Sequence, residues 1–503
     1  MFESAIGIAE MVENRHVRAA GNAMVWQIVQ MGGVKAIYLI RLLVLAILLV
    51  PADFGLVAIA TAATGFLMNV TNIGLIPAVV QARNMDDARY DAAWTLDMAR
   101  SLTVALLTIV FAPAIADVFA EPRAVPIIQA LALRPFIESI TSIKVAALNR
   151  DLSFRPLAYL RIVEAIFNAI ISIALASFVG VWALVFGAVG GAAAMVIASY
   201  ILAPYRPQIS FKFNAIRSLM NFGGWVFLTS IIAMMGNYGL RIAISRQLGA
   251  EGLGLYFIAA QLAYLPSEVA SETVGAVAFP LFARLQSNVS QATKAFRALF
   301  STVAAVIYPV CVLLIVLAPI LVRDVLGPRW QGTEGVIRVL SVVVMIGIFG
   351  DVALSVFKGF GQPYRITLLE VIQSTITISF AWILTRRFGL VGAAMAWLPA
   401  ILLSQLLSIR FLGSILDHPF RGLQQHLMAI LAATGLCLMV SLTTTYFVPG
   451  IAGVIVAIAL GASSTALLLW AADRRYRLGF AQNLALSFPK LASLIGFSPV
   501  KTE

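Results

Sequence analysis

The chain is a succession of apolar runs roughly twenty residues long, and this rhythm restricts its fold more than any other feature. A helix rises about 1.5 Å per residue, so such a run matches the roughly 30 Å of hydrocarbon in a bilayer. Runs punctuated by glycine, proline and charge clusters occupy residues 22–50, 54–80, 94–118, 125–148, 157–178, 181–203, 218–247, 253–283, 296–322, 333–357, 364–385, 389–409, 425–447 and 449–471, which predicts fourteen membrane-spanning helices. They lack the roughly ten-residue alternation of an outer-membrane barrel. Only 12% of the 503 residues are charged and 61% are hydrophobic, against about 25% charged in soluble domains. A soluble enzyme, a secreted disulfide scaffold and a disordered regulator are all excluded. The expected fold class is an all-α integral membrane protein.

Lysine and arginine set the orientation. Of 35 such residues, 21 fall in segments on the N-terminal side of the membrane and 6 in the opposite loops. Cytoplasmic loops carry this excess, so both termini are expected in the cytoplasm. The net charge of +12 is then orientation charge and implies no nucleic acid. The opening MFESAIGIAEMVENRHVRAAG lacks the short apolar core of a removable signal peptide. Cys311 and Cys437 sit inside apolar runs with neither metal spacing nor a disulfide framework. No G-x-x-x-x-G-K-[ST] loop is present to bind ATP, and no cofactor is expected. His16, His418 and His426 fall in cytoplasmic segments or at a helix end, so no outward-facing Ser/His/Asp set can be assembled. The tail RRYRLGFAQNLALSFPKLASLIGFSPVKTE is basic and amphipathic, suited to the inner leaflet.

The sequence carries an internal echo. Residues 41–61, RLLVLAILLVPADFGLVAIAT, and 241–261, RIAISRQLGAEGLGLYFIAAQ, each place an arginine in a helix, then a tight turn with an acid, then a glycine-led apolar stretch. Gly55 and Gly254 align at an offset of 199. Parallel repeats of this kind are a transporter signature. The expected organisation is a cytoplasmic segment 1–21, an N-lobe 22–203 of six helices, a linker 204–217 and a C-lobe 218–409 of six helices. A terminal pair with its preceding loop follows over 410–471, then a cytoplasmic tail 472–503.

The run LGAEGLGLYFIAAQLAYLPSEVASETVGAVAFPLFARLQ, residues 248–286, resembles the polysaccharide-transporter branch of the multidrug/oligosaccharidyl-lipid/polysaccharide exporter superfamily, the colanic-acid- and succinoglycan-type exporters. VPADFGLVAIA (50–60) and SFRPLAYLRIVE (153–164) fit the same branch. The resemblance implies two six-helix bundles around a central cavity and alternating access. It further implies a bacterial inner-membrane flippase whose cargo is undecaprenyl-diphosphate-linked oligosaccharide for exopolysaccharide synthesis. Glycosyltransferases and a polymerase are the implied functional neighbours.

Ionisable groups within spans cost about 2.5–3.5 kcal/mol at mid-bilayer, so each needs a partner or a wet cavity. Asp97–Arg100 and Arg161–Glu164 stand at i,i+3 and can neutralise each other. Lys144 and Arg338 can snorkel to an interface, and Asp351 and Glu370 read equally as structural or functional. Arg41 and Arg134 lie roughly 14 Å below the outer ends of their helices, and Arg241 roughly 9 Å below. Neither Arg41 nor Arg241 has an acid within four residues on its own helix. One reading is a cationic cradle, since a guanidinium fork grips phosphate bidentately. The other is inter-helix salt bridging to Glu138, Glu268 or Glu272. Lys35 joins the cradle as a further candidate, and Asn237 and Tyr264 as partners for sugar hydroxyls. Glu268 and Glu272, at i,i+4 after Pro266, read either as the site that couples transport to protons or sodium or as counter-charges to the arginines. Pro266 is placed to act as a hinge. Two alternatives to a flippase remain at this point: a multidrug-type antiporter of the same superfamily, and a membrane polysaccharide polymerase or acyltransferase.

Overall fold

Helices form wherever the apolar runs leave the backbone no water to bond with, since a lipid-facing peptide must satisfy its own N–H and C=O groups. The computed structural model describes residues 32–71, 86–150, 154–210 and 224–476. The expected N-terminal segment 1–21, the end of the linker at 211–217 and most of the tail 472–503 lie outside these. Every regular element among the described residues is helical. In chain order they are α1 (residues 32–48), α2 (Pro51–Val70), α3 (Asp87–Val118), α4 (Val125–Leu131), α5 (Leu133–Ser139), α6 (Val145–Arg150), α7 (Phe154–Val179), α8 (Trp182–Leu202), α9 (Gly224–Arg284), α10 (Val289–Ile320), α11 (Thr333–Gly359), α12 (Pro363–Met395), α13 (Trp397–Gly413), α14 (Leu423–Phe447) and α15 (Ile451–Tyr476). Ten helices among the described residues are long and apolar enough to cross a membrane.

Five of the expected runs, 125–148, 218–247, 253–283, 364–385 and 389–409, take a different local form. Run 125–148 is broken into α4, α5 and the start of α6. Pro135 has no N–H for the Leu131 carbonyl one turn back, and the helix is interrupted at Ala132. Runs 218–247 and 253–283 fall in the single element α9, whose non-helical backbone is at Gly249 (φ 70°, ψ −174°). The expected hinge residue Pro266 keeps helical geometry, so the bend falls where a residue without a Cβ takes a positive φ. In the same way α12 changes direction at Gly389 (φ 58°).

The chain packs as two compact units: Met1–Ile231 together with Gly249–Gly254, and Ile232–Leu248 together with Leu255–Glu503. In the first unit α8 lies along α7, with Gly187 and Gly191 facing it. A Cβ at Gly187 would come within 2.8 Å of the Asn168 carbonyl, and one at Gly191 within 2.8 Å of the Glu164 carbonyl. Small residues four apart let two membrane helices approach this closely. The extended stretch after α8 docks on the start of α3. Tyr205 donates to Asp91, the Gln208 amide donates to the same carboxylate at 3.1 Å, and the Ser210 amide donates to Thr95 Oγ1 at 3.0 Å.

The two glycines of the sequence echo meet in this unit. A Cβ on Gly55 would overlap the Ala250 carbonyl, and one on Gly254 would overlap the Pro51 carbonyl. Glu121 is the neighbouring anion: Arg123 donates to its two oxygens at 2.6 and 2.8 Å, and the Ala250 amide bonds it as well. Arg123 thereby holds the Glu121 carboxyl below the usual glutamate range.

The second unit has an aromatic core. Phe349 stands edge-on to Phe296 (6.0 Å, 88°) and Phe300 (5.5 Å, 87°), and Phe282, Phe296 and Phe357 have no exposed surface. α14 and α15 pack along each other and against α10, where a Cβ on Gly461 would lie 3.1 Å from Cys437 Sγ.

We expect Gly55→Ala and Gly254→Ala each to destabilise the purified protein by about 1–3 kcal/mol, because a methyl must push two backbones apart. Gly275→Ala is the control, as its added Cβ meets nothing within 4 Å; it should leave thermal stability equal or slightly higher. The Glu121 contribution has a defined sign. Its carboxyl is depressed on folding, so the stabilisation is present above the ordinary glutamate pKa of about 4.3 and is lost as pH falls through the lower folded value. Glu121→Gln should remove that acid-dependent component, less than about 1 kcal/mol because Arg123 is largely exposed. Thermal melts at pH 6 and at about pH 3.5 would measure it.

Candidate functional site

The deep charges of the first unit are gathered by the polar face of α7. Glu164, Asn168 and Ser172 recur every four residues and therefore point the same way. Tyr38 on α1 donates to Glu164, its hydroxyl 2.8 Å from both carboxylate oxygens. One turn on, Arg41 Nε donates to Ser172 Oγ at 2.8 Å. Arg134 on α5 donates through Nε to Glu138 Oε1 at 2.8 Å and lies, through Nη2, 3.4 Å from Glu164 Oε1. Arg41 is within electrostatic reach of Tyr38, Arg134 and Glu164. The cluster contains two guanidiniums and two carboxylates, with Glu164 at its buried base.

The second unit holds a cavity of about 480 Å³, within the range of small-molecule sites. Both arms of α9 contribute to it, Asn237 and Arg241 before the bend at Gly249, and Tyr256, Gln261, Tyr264 and Glu268 after it. Asp351 on α11, Gln373 on α12 and Trp397 at the start of α13 complete the polar lining. Trp397 Nε1 donates to the Tyr256 hydroxyl at 3.2 Å, which fixes both rings. Ser271 donates to Asp351 Oδ2 at 2.8 Å. Arg241 makes no ion pair with any of the described residues. Aromatic faces, amides, two carboxylates and one guanidinium give the cavity donors and acceptors suited to a polyhydroxylated ligand that carries an anionic group.

Of the expected site residues, Arg41 and Arg134 come together in the first unit, with Arg134 on Glu138, which its salt-bridge reading named, and on Glu164, which it did not. Lys35 is half-buried on α1. Arg241, Asn237, Tyr264 and Glu268 line one cavity in the second unit. The Glu272 side chain lies outside what the structure describes. The pair Asp97–Arg100 forms at 2.8 Å, and Lys144 reaches Asp87 at 3.5 Å. Arg161 and Glu164 do not pair. Arg161 contacts Met195 Sδ, and Glu164 turns to Tyr38 and Arg134. Tyr38 and Trp397 are among the residues that sequence reasoning passed over, with Ser172, Tyr256 and Gln373. The four-residue rhythm of Glu164, Asn168 and Ser172 opposite Gly187 and Gly191 was the available signal for the first. Trp397 had no signal in the sequence, since tryptophan near a span end is common in membrane proteins.

A family model described as "Polysaccharide biosynthesis protein" matches residues 44–335. The chain is 23% identical over 377 residues to the succinoglycan biosynthesis transport protein ExoT of Rhizobium meliloti, a match covering 74% of this chain and 76% of that one. It is 22% identical over 391 residues to the lipopolysaccharide biosynthesis protein WzxC of Escherichia coli, covering 76% of each. In fold it is similar to the lipid II flippase MurJ in an inward closed conformation, with a TM-score of 0.74 at 14% identity over 90% of this chain and 99% of that chain. It is also similar to an inward-facing multidrug resistance MATE family transporter of the MOP superfamily, with a TM-score of 0.60 at 16% identity over 78% and 98%.

If the first-unit cluster is a mutually neutralising network, removing one cation must strand an anion. We expect Arg134→Ala to destabilise the protein by about 1–3 kcal/mol, reduced by the exposure of Arg134 and the hydrogen bonds Tyr38 still donates. Adding Glu164→Gln in the same chain should recover part of that loss, and a double-mutant cycle in thermal or denaturant unfolding measures the coupling.

Proposed function

Because the chain belongs to the polysaccharide biosynthesis protein family, we propose that it is a flippase. In this reading it carries undecaprenyl-diphosphate-linked oligosaccharide from the inner to the outer leaflet of the bacterial inner membrane. One relative bears the name of a succinoglycan biosynthesis transport protein and another that of a lipopolysaccharide biosynthesis protein, and the fold neighbours are a lipid II flippase and a multidrug transporter. The chain is a membrane transporter of polysaccharide biosynthesis and not an enzyme. The proposal further takes the chain to cross fourteen times with both termini cytoplasmic and to work by alternating access.

The observation that carries the reading is Arg241, a guanidinium in a cavity within the membrane domain with no ion pair among the described residues. A cation kept there needs an anion, and a diphosphate or an acidic sugar is an anion of suitable geometry. Aromatic rings and amides beside it suit the sugar ring and its hydroxyls. Arg41 and Arg134 form the corresponding cradle in the first unit. Glu268 is assigned to ion coupling, with Asp351 as the nearby carboxylate. The multidrug reading draws support from the second fold neighbour, but an arginine in the cavity opposes cationic cargo.

In a strain lacking its own exporter, the intact chain should restore polymer export. Arg41→Ala and Arg241→Ala should each reduce it more than about tenfold, equivalent to about 1.4 kcal/mol, while membrane insertion is unchanged. Mass spectrometry of the lipid fraction should then find diphosphate-linked oligosaccharide accumulating. Normal export by both variants would reject the arginine cradle, and drug resistance without polymer export would favour the antiporter.

A further inference from the structure

Glu164 is held in an unequal way. Its side chain is 5% exposed, and the Tyr38 hydroxyl sits 2.8 Å from both of its oxygens. Arg134 reaches it only through Nη2 at 3.4 Å, long for a charge-assisted contact, which closes to about 2.7–2.9 Å at full strength. The same guanidinium spends its Nε on Glu138 at 2.8 Å. Arg134 and Glu138 are about one-third exposed, at 35% and 34%, while Glu164 lies beneath them. Arg41, in electrostatic reach of both Arg134 and Glu164, has its hydrogen bond on the neutral Ser172. Two guanidiniums in a low-dielectric region thus lean on one buried anion, and neither grips it bidentately.

We propose that Glu164 is an internal stand-in for the cargo's phosphate. It balances Arg134 and Arg41 while the site is empty and gives up Arg134 to an incoming diphosphate. The proposal rests on the reading of Arg41 and Arg134 as the phosphate cradle. Without Glu164 the remaining carboxylate, Glu138, would balance Arg134 alone, and Arg41 would be uncompensated charge in a poorly hydrated place. A tight bidentate pair would satisfy them so well that no cargo could compete. The observed single contact is between these extremes. Tyr38 makes the exchange feasible: it donates to both oxygens, so the carboxylate keeps a hydrogen bond when the guanidinium leaves. Tyr38 and Arg41 are three residues apart on α1, so one helix face carries both the donor that retains Glu164 and a cation that receives the phosphate.

The test is calorimetric titration of the purified full-length chain with inorganic pyrophosphate, farnesyl diphosphate and, as the uncharged probe, farnesol. Glu164→Gln should bind the diphosphates at least about fivefold more tightly than the parent, the low end of site-to-site coupling. Tyr38→Phe should bind them more weakly, because Glu164 then depends on Arg134 alone. Opposite signs distinguish a competitor from a residue that only holds helices together, which would shift both variants the same way. A gain with both diphosphates assigns the site to the diphosphate group, and a gain confined to farnesyl diphosphate assigns it to a lipid-linked headgroup; either supports the proposal. Unchanged or weaker binding by Glu164→Gln, with Arg41→Ala still abolishing binding, overturns the stand-in and leaves the cradle intact. If Arg41→Ala binds like the parent, the cradle fails and the stand-in with it. Should Glu164→Gln not insert, Tyr38→Phe decides alone, and binding equal to or tighter than the parent's overturns the proposal.

Discussion

A guanidinium carried into hydrocarbon must find compensation within a few ångströms, and much of this structure is arranged around that requirement. The chain meets it in three ways. Midway along α3, Arg100 takes Asp97 one turn away on its own helix and donates to the Met68 carbonyl and Thr71 Oγ1 at the end of α2. In the body of the first unit, compensation crosses between helices, from α1 and α5 to the polar face of α7. In the second unit the arginine is placed in a cavity, among rings and amides, without an ion pair among the described residues. The first solution centres on one local ion pair, and the second is shared among several groups. The third surrounds the charge with aromatic rings and amides instead of pairing it with a carboxylate among the described residues.

The inter-helix solution depends on packing before it depends on charge. Glu164, Asn168 and Ser172 form a polar stripe that would be costly against lipid. Gly187 and Gly191 bring the α8 backbone against that stripe, close enough that a Cβ at either position would meet α7 backbone or Asn168 at 2.8–2.9 Å. Glu164 is therefore 4% exposed, Asn168 2% and Ser172 fully buried. Burial weakens the competition from water and strengthens each remaining interaction. The break between α4 and α5 at Ala132, ahead of Pro135, completes the cluster. In a separate short helix, Arg134 and Glu138 stay one turn apart, and Arg134 can also reach toward α7. A glycine pair on one helix and a proline on another thus set the geometry of charges they never contact.

Much of the fold was legible because lipid imposes a simple rule, a long apolar helix, and apolar runs are easy to read. Whereas Arg134, expected within a long span, lies on the seven-residue helix α5, the helical class and the place of Arg241 in a long apolar helix followed from run length. The internal forms of the helices did not. A proline at 266 and a proline at 135 look alike in sequence, yet α9 stays helical through Pro266 while the chain breaks just before Pro135. Whether a missing hydrogen bond bends a helix depends on the neighbours that support it. Charge pairing was legible only within one helix, where i,i+3 spacing fixes distance. It gave Asp97–Arg100 correctly and Arg161–Glu164 wrongly, since a tyrosine and an arginine from two other helices outcompete the local partner. Tertiary partners of that kind carry no fixed sequence separation.

The echo at offset 199 acquires a physical meaning from the contact it makes. Pro51 and Ala250 are equivalent positions in the two copies, as are Gly55 and Gly254. Within the first unit Gly55 meets Ala250 and Gly254 meets Pro51, so each glycine touches the equivalent of its own partner's neighbour. This is the reciprocal pattern of a two-fold contact, in which i meets j and j meets i. The exchange is confined to segments 51–55 and 250–254 of the first unit. Both gaps are already closed to backbone contact. A side chain added to one copy therefore cannot be absorbed by shrinking the other, because the other has no side chain to lose. The paired glycines are a joint steric condition, since a Cβ at either position would overlap the opposing carbonyl.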